Sequence, residues 1–206
     1  AAVVGTMATP DDRSGGQARP VAYSWLVFAL TFGLLISDYM ARQVLSAVFP
    51  LLKAEWALSD TQLGALSGVV ALLVGLLTFP LSLLADRWGR VRSITLMAVL
   101  WSVATLICGV AQSYGQMLGG RILVGLGEAP YGSVGIAVVV SVFPKSMRAT
   151  LSAAFMAGGL LGQVLGVGIG GQIAAAHGWR TAFIVIALAG LVIALVYPIL
   201  VKPRRL

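Results

Sequence analysis

Six long apolar stretches dominate this sequence, and each is long enough to cross the roughly 30 Å hydrocarbon core of a bilayer as a helix. Charged residues make up only 10% of the chain, against about 25% in soluble domains. Glycine is frequent inside the stretches, which is typical of closely packed membrane helices and unlike the alternation of a membrane barrel. We therefore predict an all-α membrane protein, a bundle of six transmembrane helices. The predicted helices lie near residues 22–46, 61–85, 91–111, 117–143, 149–175 and 181–201.

Polar segments set the limits of this bundle. Residues 1–20 are polar and small, and we predict a disordered cytoplasmic tail without a cleaved signal peptide. The bundle then occupies residues 21–206. Ser59 can cap the second helix. Pro50 and Pro144 are predicted to follow the ends of the first and fourth helices, where a missing N–H does least harm.

Basic residues in the loops predict the orientation of the bundle. Ten lysines and arginines lie in the N-terminal tail, the 2–3 loop, the 4–5 loop and the C-terminus, which share one side of the membrane. Two others, Lys53 and Arg180, lie on the opposite side. By the positive-inside rule both termini are cytoplasmic, and we expect a multi-pass protein of the plasma membrane, the inner membrane of a bacterium. The predicted interfacial anchors near helix ends are Trp25, Trp56, Trp101 and Trp179.

The composition excludes several classes of function. The single cysteine, Cys108, allows no disulfide within the chain and no cysteine-based metal site, and the lone His177 is expected to be an ordinary loop residue. No nucleotide-binding or Ser/His/Asp pattern is present, so we predict no enzyme activity, no cofactor and no metal. The formal net charge of +7 comes from basic residues at alternate helix ends, which argues against a nucleic-acid-binding face.

Two pairs of charged residues lie inside the apolar stretches. Arg121 and Glu128 are seven residues apart in the fourth stretch, about two helical turns, so they lie on one face. Asp38 and Arg42 are four residues apart in the first stretch. An ionised group at this depth costs about 3 kcal/mol even on lenient insertion scales. Two such pairs in two helices predict a polar cavity and therefore transport.

Helices 1–3 and helices 4–6 resemble each other. The first helix of each triplet carries the buried charges, and the third carries none. The 2–3 loop contains Trp88-Gly89-Arg90, and the 5–6 loop, on the opposite side of the membrane, contains Gly178-Trp179-Arg180. We therefore predict a 3+3 inverted repeat, which would have this arrangement.

The 2–3 loop also carries a family signature. Residues 81–92 read LSLLADRWGRVR, which resembles the Gly-x-x-x-Asp-Arg-x-Gly-Arg-(Arg/Lys) loop of the major facilitator superfamily, with Ser82 in place of the first glycine. The matching residues are Asp86, Arg87, Gly89 and Arg90. The resemblance implies a conformational latch, in which the acid contacts a helix end of the other half of the transporter. Arg90 is expected to hold Asp86 in place.

Residues 121–131, RILVGLGEAPY, resemble the fourth helix of the spinster-like and organic-anion-symporter branches of this family. The resemblance implies a role in proton coupling for Arg121 and Glu128, with Asp38 as a further candidate. Pro130 frees a backbone carbonyl and predicts a kink beside Glu128. The alternative is a permanent structural ion pair between Arg121 and Glu128.

Arg42 matches the arginine of an Asp-Arg step that those branches often carry in the first helix. Here Ala41 precedes the arginine, and the acid lies one turn earlier at Asp38. We predict that Arg42 binds the substrate; the alternative is that it extends to the membrane interface. The other candidate substrate contacts are polar residues at membrane depth: Tyr39, Gln43, Tyr131, Ser133 and Gln163.

Glycine recurs at every fourth residue of the fifth helix, at Gly158, Gly162, Gly166 and Gly170. This stripe predicts close packing against a neighbouring helix. It resembles the glycine-rich motif of the antiporter branches, except that Val167 stands where the motif has proline. The missing proline weakens an assignment as an antiporter.

The resemblance covers residues 22–201 and implies the N-terminal six-helix half of a transporter that normally has twelve helices. A second six-helix half, another copy or a partner chain would complete the cavity between the halves. We predict secondary active transport by alternating access, coupled to protons, of a small organic anion or an amphipathic lipid-like anion. The alternatives left open are drug or metabolite efflux by antiport and a non-transporting six-helix assembly or sensor module.

Overall fold

The computed structural model describes residues 21–202, so the predicted tail at residues 1–20 lies outside the described chain. The described residues form seven α-helices and a 3₁₀ turn at Lys145–Met147, and no strand. The helices are α1 (Val21–Trp56), α2 (Asp60–Trp88), α3 (Arg90–Val110), α4 (Tyr114–Glu128), α5 (Tyr131–Val142), α6 (Arg148–His177) and α7 (Trp179–Leu200). With α4 and α5 taken together as the fourth span, six segments are long and apolar enough to cross a membrane. This confirms the predicted fold class.

The first helix is longer than predicted, because α1 continues through Pro50 to Trp56. Proline removes one backbone hydrogen bond. Beyond it, however, Leu52 is fully buried and Trp56 packs edge-on against Trp179, with ring centroids 5.4 Å apart. This burial offsets the lost bond, so the prediction that Pro50 follows the end of the helix was wrong. Ser59 caps α2 as predicted.

The fourth span is broken where proline predicted a kink. α4 ends at Glu128 and α5 begins at Tyr131, with Ala129 and Pro130 between them. Pro130 has no N–H to continue the helical hydrogen bonds. The ladder resumes where the N–H of Val134 donates to the Pro130 carbonyl at 3.2 Å. Glu128 therefore lies at the last position of α4, in the middle of the span.

The helices pack as two interleaved triplets. α1 packs mainly on α6 and α7, whereas α4 packs mainly on α3 and α2. The first span of each triplet therefore contacts the second and third spans of the other, as a 3+3 repeat would place them. Gly89 and Gly178, which follow α2 and α6, have φ of +95° and +92°. The two corresponding loops thus turn through the left-handed conformation that favours glycine.

The contact between α1 and α6 uses the glycine stripe of α6. Its four members, Gly158, Gly162, Gly166 and Gly170, are all buried and face α1. A Cβ added at Gly162 would lie 2.9 Å from the carbonyl oxygen of Ile36, and one at Gly166 would lie 2.9 Å from Cα of Met40. The two helix backbones therefore approach each other closely, because no side chain separates them.

Two of the tryptophans predicted as interfacial anchors are buried among the helices. Trp101 is fully buried in the middle of α3 and packs edge-on against Tyr131, with ring centroids 4.9 Å apart. Trp179 is 5% exposed and donates its ring N–H to Glu55. The interfacial placement of Trp101 was therefore wrong. Trp179 is buried but is the first residue of α7, so its interfacial placement stays a prediction. Trp25, at the start of α1, is exposed.

Candidate functional site

Four charged side chains meet inside the bundle, where α1 passes α4. This charged cluster consists of Asp38 and Arg42 on α1 and Arg121 and Glu128 on α4. Asp38, Arg121 and Glu128 are each 1% exposed, while the side chain of Arg42 is 23% exposed. The two pairs that the sequence placed in separate helices thus share one site, and Arg42 is its most accessible member.

Arg42 joins the two carboxylates of the charged cluster. Its Nε lies 3.2 Å from Oδ1 of Asp38 and 2.7 Å from Oε2 of Glu128, and its Nη2 donates to Oδ2 of Asp38 at 3.3 Å. The guanidinium also lies over the ring of Tyr39, 4.9 Å from the centroid, where the negative face of the ring attracts it. Arg42 is therefore directed into the bundle rather than toward the membrane interface.

Glu128 is the least satisfied member of the charged cluster. Nε of Arg42 carries one hydrogen, which is directed at Asp38, so the 2.7 Å contact with Glu128 is an ion pair without hydrogen-bond geometry. Both carboxylate oxygens of Glu128 are buried and accept no hydrogen bond from the described residues. A buried carboxylate in this state is costly, and binding a proton relieves that cost.

Arg121 bonds to backbone rather than to Glu128. Its Nε and Nη1 donate to the carbonyl oxygens of Leu66 on α2 and Ala41 on α1, each at 3.2 Å. No ion pair within 4.0 Å joins Arg121 to Glu128 in the part of the chain described. The permanent ion pair between these two residues, the alternative that the sequence left open, is therefore not formed. Arg121 instead ties α1, α2 and α4 together.

An amphipathic cleft adjoins the charged cluster through Tyr39. The cleft has a volume of about 280 Å³ and lies between α1, α5 and α6. Its lining residues are Leu35, Tyr39, Gly132, Ser133, Ile136, Phe155 and Met156. The predicted substrate contacts Tyr39 and Ser133 both line it. Gln43 on α1 and Gln163 on α6 are half-buried outside its lining.

Tyr131 was also predicted to contact substrate, but its side chain is fully buried. Its hydroxyl donates to the carbonyl oxygen of Thr31 at 2.5 Å, and its ring packs on Trp101. Tyr131 does not line the cleft. This placement indicates a packing role for Tyr131 between α1, α3 and α5.

The predicted latch loop lies at the turn between α2 and α3. Asp86, Arg87 and Arg90 are exposed, and Gly89 makes the turn. Within residues 21–202, no ion pair within 4.0 Å involves any of them. The expected contact between Asp86 and Arg90 is therefore not formed, and the role of this loop as a latch stays a prediction.

Two hydroxyl groups of α2 reach the broken span. From the sequence, Thr78 had no predicted role, and Ser82 was named only as the substitute for the first glycine of the signature loop. The Thr78 hydroxyl lies within hydrogen-bond distance of two carbonyl oxygens, that of Val74 in its own helix and, at 2.7 Å, that of Ala129. The hydroxyl oxygens of Ser82 and Ser133 lie 2.7 Å apart. Thr78 and Ser82 are four residues apart on one face of an otherwise apolar helix, and that spacing was the available signal. These contacts hold the break beside Glu128 against α2.

Replacing Thr78 with valine is expected to lower the free energy of unfolding by roughly 1 kcal/mol, because the Ala129 carbonyl loses its partner at the helix break. The matched control is Thr95→Val, because the Thr95 hydroxyl donates within its own helix, to the carbonyl oxygen of Val91 at 2.9 Å. Thermal unfolding of both variants in one detergent makes the comparison. Equal losses of stability would contradict a special role for Thr78.

Comparison with known proteins places this geometry in a family. The sequence profile of the Major Facilitator Superfamily matches residues 20–205. The hexuronate transporter of Bacillus subtilis (strain 168) is 27% identical over 179 residues, which are 87% of this chain and 42% of that protein. The probable L-galactonate transporter of Escherichia coli (strain K12) is 29% identical over 176 residues, 85% of this chain and 39% of that protein. Protein spinster of Drosophila melanogaster is 25% identical over 182 residues, 88% of this chain and 30% of spinster.

A solved structure has the same fold. A bacterial homolog of the human lysosomal transporter Spinster, in an inward-facing and unoccupied conformation, superposes with a TM-score of 0.83 at 24% sequence identity. The superposition covers 89% of this chain and 44% of that one. The chain thus spans less than half the length of each of these relatives and corresponds to the N-terminal half of a transporter. Fold, signature loop and profile agree, and the chain belongs to the Major Facilitator Superfamily.

Proposed function

We propose that this chain supplies the N-terminal half of a secondary active transporter that moves an anion together with protons. The relatives described above are named as transporters, and two of them are named for the organic anions hexuronate and L-galactonate. Transport by alternating access requires a second six-helix half, which would face the open side of the charged cluster. The coupling ion and the kind of anion are inferred from the cluster and its cleft.

One observation carries the proposal: Arg42 contacts two carboxylates, and Glu128 accepts no hydrogen bond from any residue between 21 and 202. With all four groups ionised, the charged cluster is neutral. Protonation of Glu128 releases Arg42 from that ion pair and leaves two arginines against one carboxylate. The cluster then has a charge of +1 and attracts an anion at the partly exposed Arg42. Proton and anion therefore bind together, as symport requires.

The walls of the cleft support an anion that also has an apolar portion. Leu35, Ile136, Phe155 and Met156 supply apolar surface, while Tyr39 and Ser133 supply hydroxyl groups. Tyr39 also stacks beneath the Arg42 guanidinium. A ligand with its negative group at Arg42 would lay its apolar portion along these walls. We therefore favour an amphipathic anion over a polyhydroxylated sugar acid as the substrate.

We further propose that both termini face the cytoplasm and that the membrane is the bacterial inner membrane. The basic loop residues Arg87, Arg90, Arg92 and Lys145 lie at one end of the bundle, and Lys53 and Arg180 lie at the other. This asymmetry supports the orientation given by the positive-inside rule. Exposed Asp86 and Arg87 would then reach the second half on the cytoplasmic side, as a latch requires.

Replacing Arg42 with glutamine is expected to raise the KM for the transported anion by about 10- to 100-fold, because a charged hydrogen-bond donor to the anion is lost. Uptake into proteoliposomes should be measured with the full product of the native gene. The probes are glucuronate, galactonate and a lysophosphatidic acid. The control is Lys53→Gln, since Lys53 near the end of α1 pairs with Asp60 at the start of α2, away from the charged cluster. An unchanged KM for every transported probe in Arg42→Gln would refute the proposed anion site.

A further inference from the structure

A second surface feature lies outside the proposed transport site. A groove of about 130 Å³ runs between α2, α3 and the break that separates α4 from α5. Its walls include Leu84 and Trp88 from α2 and Leu96 and Leu100 from α3, all of which are exposed. None of the residues of the charged cluster lines it. The groove therefore opens at the surface of the bundle and does not include the side chains of the proposed transport site.

The groove leads from apolar walls to a basic end. Arg92 lies one helical turn before Leu96 and two turns before Leu100, so the three form one exposed stripe along α3. Trp88, 56% exposed, forms the opposite wall and is adjacent in sequence to Arg87. The same turn contains Arg90 and one acid, Asp86. Among residues 21–202 none of these arginines takes part in an ion pair, so three cations stand against one carboxylate.

We propose that this groove binds an anionic glycerophospholipid, with an acyl chain along the α3 stripe and the phosphate at Arg92. Leucine walls at membrane depth suit a hydrocarbon chain, and a tryptophan at the groove end suits the interface between hydrocarbon and headgroups. Basic residues next to the membrane surface attract anionic lipids, and each contributes roughly fivefold in affinity. Arg92 itself lies outside the groove lining, but it directly precedes Ser93, which lines the groove, so the cation stands at the end of the apolar walls.

The test is native mass spectrometry of the purified protein titrated with dioleoyl phosphatidylglycerol or dioleoyl phosphatidylcholine in the same detergent. The phosphatidylglycerol complex should persist at lower lipid concentration than the phosphatidylcholine complex. Arg92→Gln should weaken binding of phosphatidylglycerol roughly fivefold and leave phosphatidylcholine unchanged. Leu96→Trp, which fills the groove from an exposed position, should weaken both. Lys145→Gln is the matched control, because it removes a cation at the same end of the bundle outside the groove.

Several outcomes would overturn the proposal. Equal affinity for the two lipids would show that no headgroup charge is recognised. An equal effect of Arg92→Gln and Lys145→Gln would assign the preference to overall charge rather than to this groove. Unchanged binding in Leu96→Trp would remove the acyl chain from the α3 stripe. Each variant is first checked for an unchanged size-exclusion profile, and Leu100→Trp replaces Leu96→Trp if the latter misfolds. These readouts do not depend on transport, so they stand whether or not the proposed function holds.

Discussion

Replacing Glu128 with glutamine is expected to abolish uptake driven by a pH gradient while exchange of substrate across the membrane continues. Glutamine keeps the size of the side chain and stays neutral, so it imitates a carboxyl group that cannot release its proton. A gradient of one pH unit is worth about 1.4 kcal/mol, or about tenfold accumulation for each coupled proton. In proteoliposomes made with the full gene product, this accumulation should fall to the level reached without a gradient.

Exchange should persist because the variant leaves Arg42 available. In the native protein Oε2 of Glu128 lies 2.7 Å from Nε of Arg42, and Oδ1 of Asp38 lies 3.2 Å from the same nitrogen. A neutral side chain at position 128 no longer competes with an anion for Arg42. The KM of the native transporter should therefore rise as the pH rises and Glu128 ionises. The KM of Glu128→Gln should stay low and independent of pH.

The matched control for this variant is Glu55→Gln. Glu55 lies on the same helix as Asp38 and Arg42 but accepts a hydrogen bond from Trp179 outside the charged cluster, and glutamine can still accept that bond. Gradient-driven uptake should survive in this control. Undiminished pH coupling in Glu128→Gln would exclude Glu128 as the coupling residue. Loss of both uptake and exchange in a folded variant would assign it a structural role.

The sequence identified the helix that carries each buried charge, but not which arginine meets Glu128. Spacing along one helix predicts which side chains share a face, and Arg121 and Glu128 do lie on α4. A contact between helices also depends on their rotation and crossing, which hydropathy does not contain. Arg42 reaches Glu128 because the interleaved packing turns the charged faces of α1 and α4 toward each other. The ion pair across the helices therefore had to be seen in the structure.

The placement of two prolines and one tryptophan also depended on tertiary contacts that the sequence does not show. Pro130 breaks the fourth span as predicted, and the Ala129 carbonyl at the break contacts the hydroxyl of Thr78 on α2. Pro50 has the same missing N–H but does not end α1, because Leu52 beyond it is buried and Trp56 packs on Trp179 of α7. Tryptophan prefers the membrane interface because its ring carries an N–H group. Trp101 nevertheless lies in the core, where its packing on Tyr131 outweighs that preference. In each case tertiary contacts decided the outcome of a local preference.

Replacing Gly166 with leucine is expected to prevent α1 and α6 from packing and to lower the yield of folded protein severely. Even a Cβ at this position would lie 2.9 Å from Cα and 3.1 Å from the carbonyl oxygen of Met40. These neighbours are backbone atoms, so no change of rotamer can relieve the clash. Overpacking costs about 1–3 kcal/mol where side chains can adjust, and we expect at least about 3 kcal/mol here. Burying the new leucine between the helices gains little free energy to offset this cost, because lipid tails are as apolar as leucine.

The matched control is Gly168→Leu on the same helix. Gly168 has no neighbouring atom within 4 Å of an added Cβ, and leucine is a better helix former than glycine by about 0.5–1 kcal/mol. This control should therefore fold as well as the native chain or better. Fluorescence-detected size exclusion of the two variants before and after heating measures the difference. Similar loss of the monodisperse peak in both would show that glycine matters for helix flexibility rather than for close approach.

A smaller substitution at Gly166 connects this packing to the charged cluster. Gly162 contacts Ile36 and Tyr39, and Gly166 contacts Met40, so the two glycines hold the turn of α1 that separates Asp38 from Arg42. Gly166→Ala should push that turn away from α6 by a few tenths of an ångström and disturb the 2.7 Å contact of Arg42 with Glu128. In a folded Gly166→Ala protein we expect a weaker dependence of KM on pH. A native pH profile would show instead that α1 adjusts without moving Arg42.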